Sequence, residues 1–420
     1  MIHAALLGAG SRGMRAYASY ALSHPGEIKF IAVAEPDEEK RKLFSKLHDI
    51  PEDMQFTSWE ELLDRPKLCE ALLICTLDRQ HYEPTMKALQ LGYHILLEKP
   101  MSPIPQETLE MAEEAERLGR ILTVCHTMRY SNFYRELKDI VDSGKIGRII
   151  TIQWTENVGL WHQAHSFVRG NWRNSDETSS MILQKCCHDM DMLQWLIGAD
   201  CEKVSSFGEL TYFKEENAPE GSTARCTDGC KVEHECTFSA LKAYYNTSTE
   251  WPANVVSIDN SLEARLKALK EGPYGRCVFR CDNNVVDHQV VSLKFKNDVT
   301  VAFTMTAFNN ETTRTFKIMG TEGEILGHDK KNELEIRYFS GKRETIRPKR
   351  TEGGHDGADP IIMIDFINQV KSGDPKGKSS GMVSAKSHLI AFAAEHSRLT
   401  GKTVDMDAYI QELRTQGANA

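Results

Sequence analysis

The sequence lacks an excess of positive charge and any long apolar run. Its 420 residues include 51 Lys and Arg against 60 Asp and Glu, which gives a formal net charge of -9. Nucleic acids and anionic membranes both attract basic surfaces, so this charge argues against either as a partner. No apolar run approaches the roughly 20 residues that cross a bilayer. We therefore expect a soluble globular protein with no nucleic-acid partner and no membrane partner.

An export signal is also missing from the start of the sequence. Residues 1–13, MIHAALLGAGSRG, have no basic region before the apolar run and no small-residue cleavage site after it. They predict a first β-strand and a cytoplasmic protein. The 11 cysteines are an odd number, and in this setting they favour reduced thiols or a metal site over a disulfide framework.

Two strand patterns divide the chain near residue 126. In residues 1–125, short apolar runs alternate with amphipathic helical stretches, which predicts a parallel α/β sheet. In residues 126–420, longer strands with alternating faces predict a mostly antiparallel sheet that is open on one side. The irregular, polar stretch at about 201–275 is interpreted as an insertion. The predicted fold class is therefore α/β, with two domains.

A glycine-rich turn follows the first predicted strand. Gly8, Gly10 and Gly13 form G-x-G-x-x-G, a spacing that lets a pyrophosphate approach the N-terminus of the next helix. Glu35 ends the second strand, where a carboxylate can accept both ribose hydroxyls and repel a 2′-phosphate. The pattern predicts an NAD site and favours NAD over NADP. Three nearby cations would instead suit NADP, namely Arg12, Lys40 and Arg41.

Later stretches resemble the Gfo/Idh/MocA oxidoreductases, the glucose–fructose oxidoreductase and inositol dehydrogenase family. The stretches, in chain order, are ICTLDRQHYE (74–83), LLEKP (96–100), VCHTMRY with SGKIGRI, and WRNSDETSSMILQKCCHDMDMLQWLIG. The resemblance covers both predicted domains. It implies an N-terminal Rossmann domain that binds NAD, followed by an α/β domain whose large open sheet is used to form a homo-oligomer, a dimer or tetramer.

The resemblance implies that Lys99 and His188 lie beside the nicotinamide and the reacting carbinol. Removing hydride from a C–OH group also requires loss of the hydroxyl proton, and either side chain can accept it. The same resemblance implies a set of cofactor contacts, which comprises Gly8, Gly10, Ser11, Arg12, Gly13, Glu35, Thr76, Leu77, His81, Glu98 and Lys99.

The stretch LQKCCHDMD (183–191) departs from the family motif. Gln184 occupies the position of the motif's first aspartate, and Lys185 is an extra cation. On one continuous helix, Gln184 and Lys185 would both neighbour His188, and Asp191 would orient the His188 ring. Lys185 is therefore a third catalytic candidate, suited to a negatively charged substrate or intermediate. The alternative is that Lys185 simply reaches solvent.

Aromatic and basic residues on the loop after residue 159 suit stacking on sugars and hydrogen bonding to hydroxyls. This loop includes Trp161, His162 and Arg169, each of which could equally be a packing residue. The predicted substrate-binding residues are Arg129, Tyr130, His165, Trp172, Arg173, Gln184, His288 and His355.

Three cysteines lie close together in the polar insertion. Cys226, Cys230 and Cys236 have a spacing that could supply thiolates to a structural zinc ion. Cys187 or His234 could be the fourth ligand. An iron–sulfur cluster and free thiols remain the alternatives.

Three functions compete for this sequence. The first is an NAD-dependent dehydrogenase acting on a hydroxyl of a pyranose sugar, glycoside or cyclitol. The second is an NAD-dependent glycosidase that oxidises C3 transiently, eliminates the aglycone, adds water and returns the hydride. The third, a nucleotide sensor without catalysis, is disfavoured because both Lys99 and His188 are present.

Overall fold

The computed structural model describes residues 1–351 and 354–417, without the side chains of residues 354–356 and 417. Within these residues the strands form two sheets, of six and nine strands. None of the helices in the described part of the chain is long and apolar enough to cross a membrane.

The first sheet is entirely parallel and has the order β3-β2-β1-β4-β5-β6. Its strands are β1 (Ile2–Leu7), β2 (Ile28–Ala34), β3 (Gln55–Phe56), β4 (Ala71–Ile74), β5 (His94–Leu97) and β6 (Leu122–Val124). Residues of β1, β4 and β5 are almost all buried, as expected for a parallel sheet covered by helices on both faces. This strand order places a ligand crevice at the carboxyl ends of β1 and β4.

The second sheet is mostly antiparallel, with one parallel pair, β7 and β10. Its order is β14-β13-β12-β11-β7-β10-β9-β8-β15. The strands are β7 (Ile149–Gly159), β8 (Cys201–Glu209), β9 (His288–Phe295), β10 (Thr300–Asn309), β11 (Thr313–Gly320), β12 (Gly323–His328), β13 (Glu333–Tyr338), β14 (Arg343–Ile346) and β15 (Val404–Asp405). Buried and exposed residues alternate along β8 and β10, so one face packs on helices and the other is open.

Nine longer helices are present in the described part of the chain. They are α1 (Glu38–His48), α2 (Tyr82–Gln90), α3 (Pro105–Leu118), α4 (Asn132–Asp142), α5 (Cys187–Ile197), α6 (Leu262–Glu271), α7 (Gly354–Ser372), α8 (Gly381–Thr400) and α9 (Met406–Gly417), counted over the described residues. Shorter helical segments are Ser11–Tyr17, Ser19–Ser23, Glu52–Met54, Trp59–Leu63, Asp78–Gln80, Thr127–Tyr130, Leu160–His162, Gln163–Arg169, Met181–Gln184, Glu215–Asn217, Ala240–Tyr244, Ala253–Val255 and Pro273–Gly275.

The predicted insertion begins later than expected. Residues 201–209 form β8, because their side chains alternate between the core and the open face and pair with β9. The irregular segment therefore runs from the end of β8 to the start of β9, and it contains α6.

Helix α7 packs on the first sheet although it lies far along the chain. Ile362, Met363 and Phe366 are fully buried in the same core as β1 and β2. A domain boundary near residue 125 stays a prediction, but residues of the C-terminal part complete the core of the N-terminal sheet.

Candidate functional site

The glycine-rich turn between β1 and the helix Ser11–Tyr17 has almost no spare room. Gly8 has φ +87°, and a Cβ there would lie 2.7 Å from the Cys75 carbonyl oxygen. A Cβ on Gly13 would lie 2.3 Å from the Gly8 carbonyl oxygen, whereas one on Gly10 would meet nothing within 4 Å. Gly8 and Gly13 are thus required by packing within the protein, and Gly10 leaves an open cradle of the kind that a pyrophosphate fills.

Glu35 faces this turn from the end of β2. Its side-chain oxygens accept hydrogen bonds from the backbone N–H groups of Ala9, at 2.7 Å, and Asp37, at 3.0 Å. The two nearby cations already have partners. Lys40 pairs with Asp37 at 3.0 Å, and the Arg41 guanidinium donates to the Glu35 carbonyl oxygen. The charge beside the turn is therefore that of a carboxylate, which suits a ribose with free hydroxyls.

Arg12 was expected to contact the cofactor, but the structure holds it within the protein. Its guanidinium donates to Glu98 at 2.8 Å, to Asp359 at 2.8 and 3.0 Å, and to the Tyr17 hydroxyl. Burial by itself would raise the pKa of Glu98, but Arg12 and Lys99 outweigh it and hold that pKa below its usual range. Arg12, whose side chain is 33% exposed, and the buried residues Glu98 and Asp359 thus join the glycine-rich turn, the end of β5 and α7.

The His81 side chain also contacts atoms of the protein backbone. Its ring nitrogens lie 2.9 Å from the Pro100 carbonyl oxygen and 3.1 Å from that of Thr76, and the residue is buried. It therefore fixes the loop after β4 against the loop after β5. Leu77, in contrast, is 46% exposed on that loop, and its predicted contact with the cofactor stays a prediction, as do those of Ser11 and Thr76.

Lys99 reaches from the end of β5 to the LQKCCHDMD stretch. Its Nζ donates to the Gln184 carbonyl oxygen at 2.8 Å and lies 3.5 Å from Gln184 Oε1. The sequence predicted one continuous helix here, but the helix is interrupted. The segment Met181–Gln184 ends at a turn over Lys185 and Cys186, and α5 begins after it. A carbonyl at the end of a helical segment lacks its helical partner, and Lys99 satisfies this one.

Lys185 points back into the second domain and is mostly shielded from solvent. Its side chain is 16% exposed, and Nζ lies 3.3 Å from Glu156 Oε1 on β7. Glu156 also contacts Arg314 at 2.7 Å, and Arg314 in turn donates to Asp189 at 2.7 and 3.0 Å. Burial raises the pKa of Glu156 to about 7, against the opposing charges of Arg314 and Lys185. The extra lysine is thus one end of a buried charge chain whose carboxylate titrates near neutrality.

His188 is grouped with two further buried histidines. The His126 ring lies 5.7 Å from the His188 ring and 5.2 Å from the His388 ring, measured between centroids. Burial lowers the pKa of His126 to about 4 and that of His388 to about 3, so both are neutral at pH 7. The histidine ring that packs edge-on against His188 is therefore uncharged.

Asp191, which was predicted to orient the His188 ring, is paired with Arg129. Asp191 receives two hydrogen bonds from Arg129, at 2.6 and 2.7 Å, and both residues are buried. Arg129 was predicted to bind substrate, but this pair commits its guanidinium to the core. Tyr130 is also buried, and its hydroxyl lies 2.8 Å from Asp365 and 3.1 Å from Ser379.

The other predicted substrate-binding residues lie at different places in the second domain. The Arg173 guanidinium donates two hydrogen bonds of 2.8 Å to the Asp282 carboxylate. The His288 side chain lies on the opposite sheet face from Glu156, because its cross-strand partner Thr306 pairs with Asn157. Trp172 is partly buried and packs against the main core of the second domain. The His165 ring packs against the Trp251 ring. The side chain of His355 lies outside the described residues.

The predicted zinc site is not formed. Cys187 is fully buried in the main core of the second domain, whereas Cys226 belongs to a separate core in the irregular segment. Cys226 Sγ accepts from the Ala240 N–H at 3.4 Å, and the His234 side chain is 93% exposed. Throughout the described residues, no group of three or more His, Cys, Asp or Glu is placed to hold a metal ion. Cys187 lies on the face of α5 that packs in the core, and the spacing of the cysteines in the sequence does not show this.

Several residues of this region were missed by sequence reasoning. Glu156 and Arg314 lie on neighbouring strands, and only the pairing of β7 with β11 brings them together. His126 and His388 meet because α8 packs beside β6. A buried acid on an otherwise apolar strand face was the one available signal for Glu156.

The six-stranded parallel sheet, its glycine-rich turn and the second open sheet define a two-domain protein built on a dinucleotide-binding fold. The chain belongs to the Gfo/Idh/MocA oxidoreductase family. Residues 2–126 match the family model described as "Oxidoreductase family, NAD-binding Rossmann fold", and residues 138–382 match "Oxidoreductase family, C-terminal alpha/beta domain". The family and the α/β fold class predicted from the sequence are both confirmed.

Relatives and solved structures agree with this assignment. YteT of Bacillus subtilis (strain 168) is 25% identical over 344 residues, which cover 78% of each chain. The 1,5-anhydro-D-fructose reductase of Ensifer adhaerens is 27% identical over 39% of this chain and 48% of its own length. A levoglucosan dehydrogenase structure with NADH and levoglucosan matches with a TM-score of 0.71 and 19% identity, covering 96% of this chain and 99% of its own.

Proposed function

We propose that this protein is an NAD-dependent oxidoreductase that acts on a hydroxyl group of a pyranose sugar, a glycoside or a cyclitol. The observation that carries the proposal is the contact of Lys99 Nζ with the Gln184 carbonyl oxygen at 2.8 Å. It links the carboxyl edge of the nucleotide-binding sheet to the segment that leads into His188. Family membership adds support, since the names of relatives include inositol 2-dehydrogenase and scyllo-inositol 2-dehydrogenase.

The residues present fit a dinucleotide with a free ribose. Gly10 leaves an open cradle, and Glu35 offers a carboxylate at the end of β2. Because Lys40 and Arg41 are engaged by Asp37 and by a backbone carbonyl, no cation among these neighbours is aimed at a 2′-phosphate. This arrangement supports NAD over NADP. When bound, the nicotinamide supplies the hydride acceptor.

The protein side chains would manage the substrate proton. Lys99 and His188 accept and hold the hydroxyl proton as the C–OH group is oxidised. Lys185 follows Gln184, the residue that Lys99 contacts, and pairs with Glu156; we propose that its positive charge favours a substrate or intermediate with developing negative charge on oxygen. Because burial raises the pKa of Glu156 to about 7, the net charge of the Lys185–Glu156 pair depends on pH in the physiological range.

A redox-neutral glycosidase is the second candidate. Elimination and hydration need acid–base groups beyond those of a simple dehydrogenase, and the Lys185–Glu156 pair supplies an additional one. Two relatives carry the name 2,7-anhydro-N-acetylneuraminate hydratase, at 27% and 23% identity over 33% and 46% of this chain.

One assay separates the two candidates. The protein is incubated with NAD and a panel of aryl pyranosides, free pyranoses and cyclitols while NADH absorbance and released phenol are recorded together. Accumulating NADH without free phenol supports the dehydrogenase, and released phenol without net NADH supports the glycosidase. If NAD binds and neither product forms with any sugar, both candidates are wrong.

A Lys99→Ala variant tests the assigned chemistry. We expect turnover to fall at least about 100-fold, because a positioned acid–base group contributes about that much, while NAD affinity measured by calorimetry stays within a few-fold. Lys87→Ala is the matched control, since Lys87 pairs with Asp64 on the surface. Full turnover in Lys99→Ala would contradict the assignment.

Assembly through the open sheet stays a prediction. That face carries exposed apolar side chains, among them Phe207 and Val290, which are paired across β8 and β9. Sedimentation of the wild type and of Phe207→Lys would test it, a smaller species in the variant being the expected result.

A further inference from the structure

Two tryptophans stay open to solvent beside the second sheet. Trp161 is 44% exposed on the short helix after β7, and Trp251 is 41% exposed in the irregular segment between β8 and β9. Their ring centroids lie 5.0 Å apart, and the planes meet at 64°. Two indole rings at this angle form a corner with open aromatic faces, although aromatic side chains normally bury most of their surface.

The corner is held rigidly from behind. The Trp251 ring packs edge-on against His162 at 5.0 Å and against His165 at 5.1 Å. His165 is stacked on Tyr274 at 4.7 Å, with the planes 8° apart, and its Nδ1 lies 3.0 Å from the Tyr244 hydroxyl. A support of this kind keeps the rings in place before any ligand arrives, which lowers the entropic cost of binding.

The corner follows directly on β7, the strand that carries Glu156. Trp161 follows the end of β7, five residues after Glu156, the partner of Lys185. Burial lowers the pKa of His162 well below its usual range, and the charges of Lys185 and Lys99 lower it further. His162, which touches both tryptophans, is therefore within electrostatic reach of the two lysines.

We infer that Trp161 and Trp251 form a subsite for a second ring of the substrate, joined to the sugar that is oxidised. The inference rests on the proposed function and narrows its substrate class to glycosides, as distinct from free monosaccharides or cyclitols. A pyranose presents a face of C–H groups and an aryl group presents a π face, and either stacks on an indole ring. The ring is therefore a neighbouring sugar or an aryl aglycone.

The experiment compares ligands that differ only in the second ring. Calorimetry measures the affinity of the NADH complex, which has no hydride acceptor and so cannot turn over, for methyl and 4-nitrophenyl pyranosides of glucose, galactose, xylose and rhamnose. Because aromatic stacking is worth about 0.5–1.5 kcal/mol, the second ring should tighten binding roughly 2- to 10-fold for the accepted sugar. Cellobiose and maltose, compared with the methyl glucosides, separate a neighbouring sugar from an aryl aglycone.

Three variants locate the effect. Trp251→Ala should bring the two affinities of each pair together, while Trp251→Phe should retain part of the difference. Phe339→Ala, which removes an aromatic ring that is 68% exposed at the end of β13, is the control and should leave the difference unchanged. Thermal melting checks that each variant is folded.

The outcomes distinguish the subsite from the proposed function. Because affinity is measured without turnover, a second-ring effect that depends on Trp251 would support the subsite even if no NADH or phenol formed. The inference would be overturned by equal affinities for one-ring and two-ring ligands in the wild type, by a difference that survives Trp251→Ala, or by no binding of any 4-nitrophenyl glycoside or disaccharide.

Discussion

Replacing Glu156 by Gln tests the buried charge chain through the pH dependence of stability. Burial gives this carboxyl a pKa of about 7 in the folded protein, against an ordinary value of 4.5. Between these pH values the folded protein keeps a proton that the unfolded chain has lost. The free energy of unfolding of the wild type therefore falls as pH rises through this window. One pKa unit corresponds to about 1.4 kcal/mol, so the group costs roughly 3 kcal/mol once the pH exceeds 7.

Gln resembles the protonated acid and does not titrate. We therefore expect Glu156→Gln to match the wild type near pH 5 and to become more stable than the wild type, by roughly 3 kcal/mol, near pH 8. Urea unfolding followed by tryptophan fluorescence at intervals across this range measures the difference. Glu216→Gln, at an exposed surface position, is the control and should track the wild type. If the free energy of unfolding of Glu156→Gln changes with pH as that of the wild type does, the Glu156 carboxyl is not held neutral in the folded protein and this interpretation of the buried charges is wrong.

Three further predictions concern the backbone turn, the core and the thiols. Gly13→Ala should lower stability by about 2 kcal/mol or more and abolish NAD binding, because its Cβ would lie 2.3 Å from a carbonyl oxygen; Gly10→Ala should weaken NAD binding alone, and calorimetry with thermal melting reads both. Arg129→Ala should cost about 3–5 kcal/mol in urea unfolding, since it strands the buried Asp191 carboxylate; a loss of substrate affinity at unchanged stability would contradict this. Chelator treatment should leave the melting temperature unchanged, and one equivalent of zinc lost with unfolding would show that the thiols around Cys226 do bind metal.

The nucleotide-binding half was predicted well because its signals are local. Gly8 needs a positive φ and Gly13 needs the absence of a Cβ, and both demands arise within a few residues of a strand end. Strand and helix alternation is likewise written in short apolar periods. The turn, the parallel sheet and the position of Lys99 at the end of β5 could therefore be predicted from the amino-acid sequence.

The partners of the charged residues could not be predicted in the same way. Glu156 and Arg314 are 158 residues apart in sequence and meet because β11 pairs with β7. Lys185 and Glu156 are 29 residues apart, and Lys185 reaches Glu156 from the turn before α5. Arg129 looked available for a substrate until α5 placed Asp191 against it.

The sequence by itself determined the family, the dinucleotide turn and the identity of Lys99 and His188 as candidates, because short-range sterics and residue chemistry suffice for these. Only the tertiary structure decided which charges are neutralised, that Cys187 is a core residue, and that Trp251 comes to lie against Trp161. Such contacts join segments far apart in the chain, so they depend on how whole sheets and helices pack, and no local pattern records them.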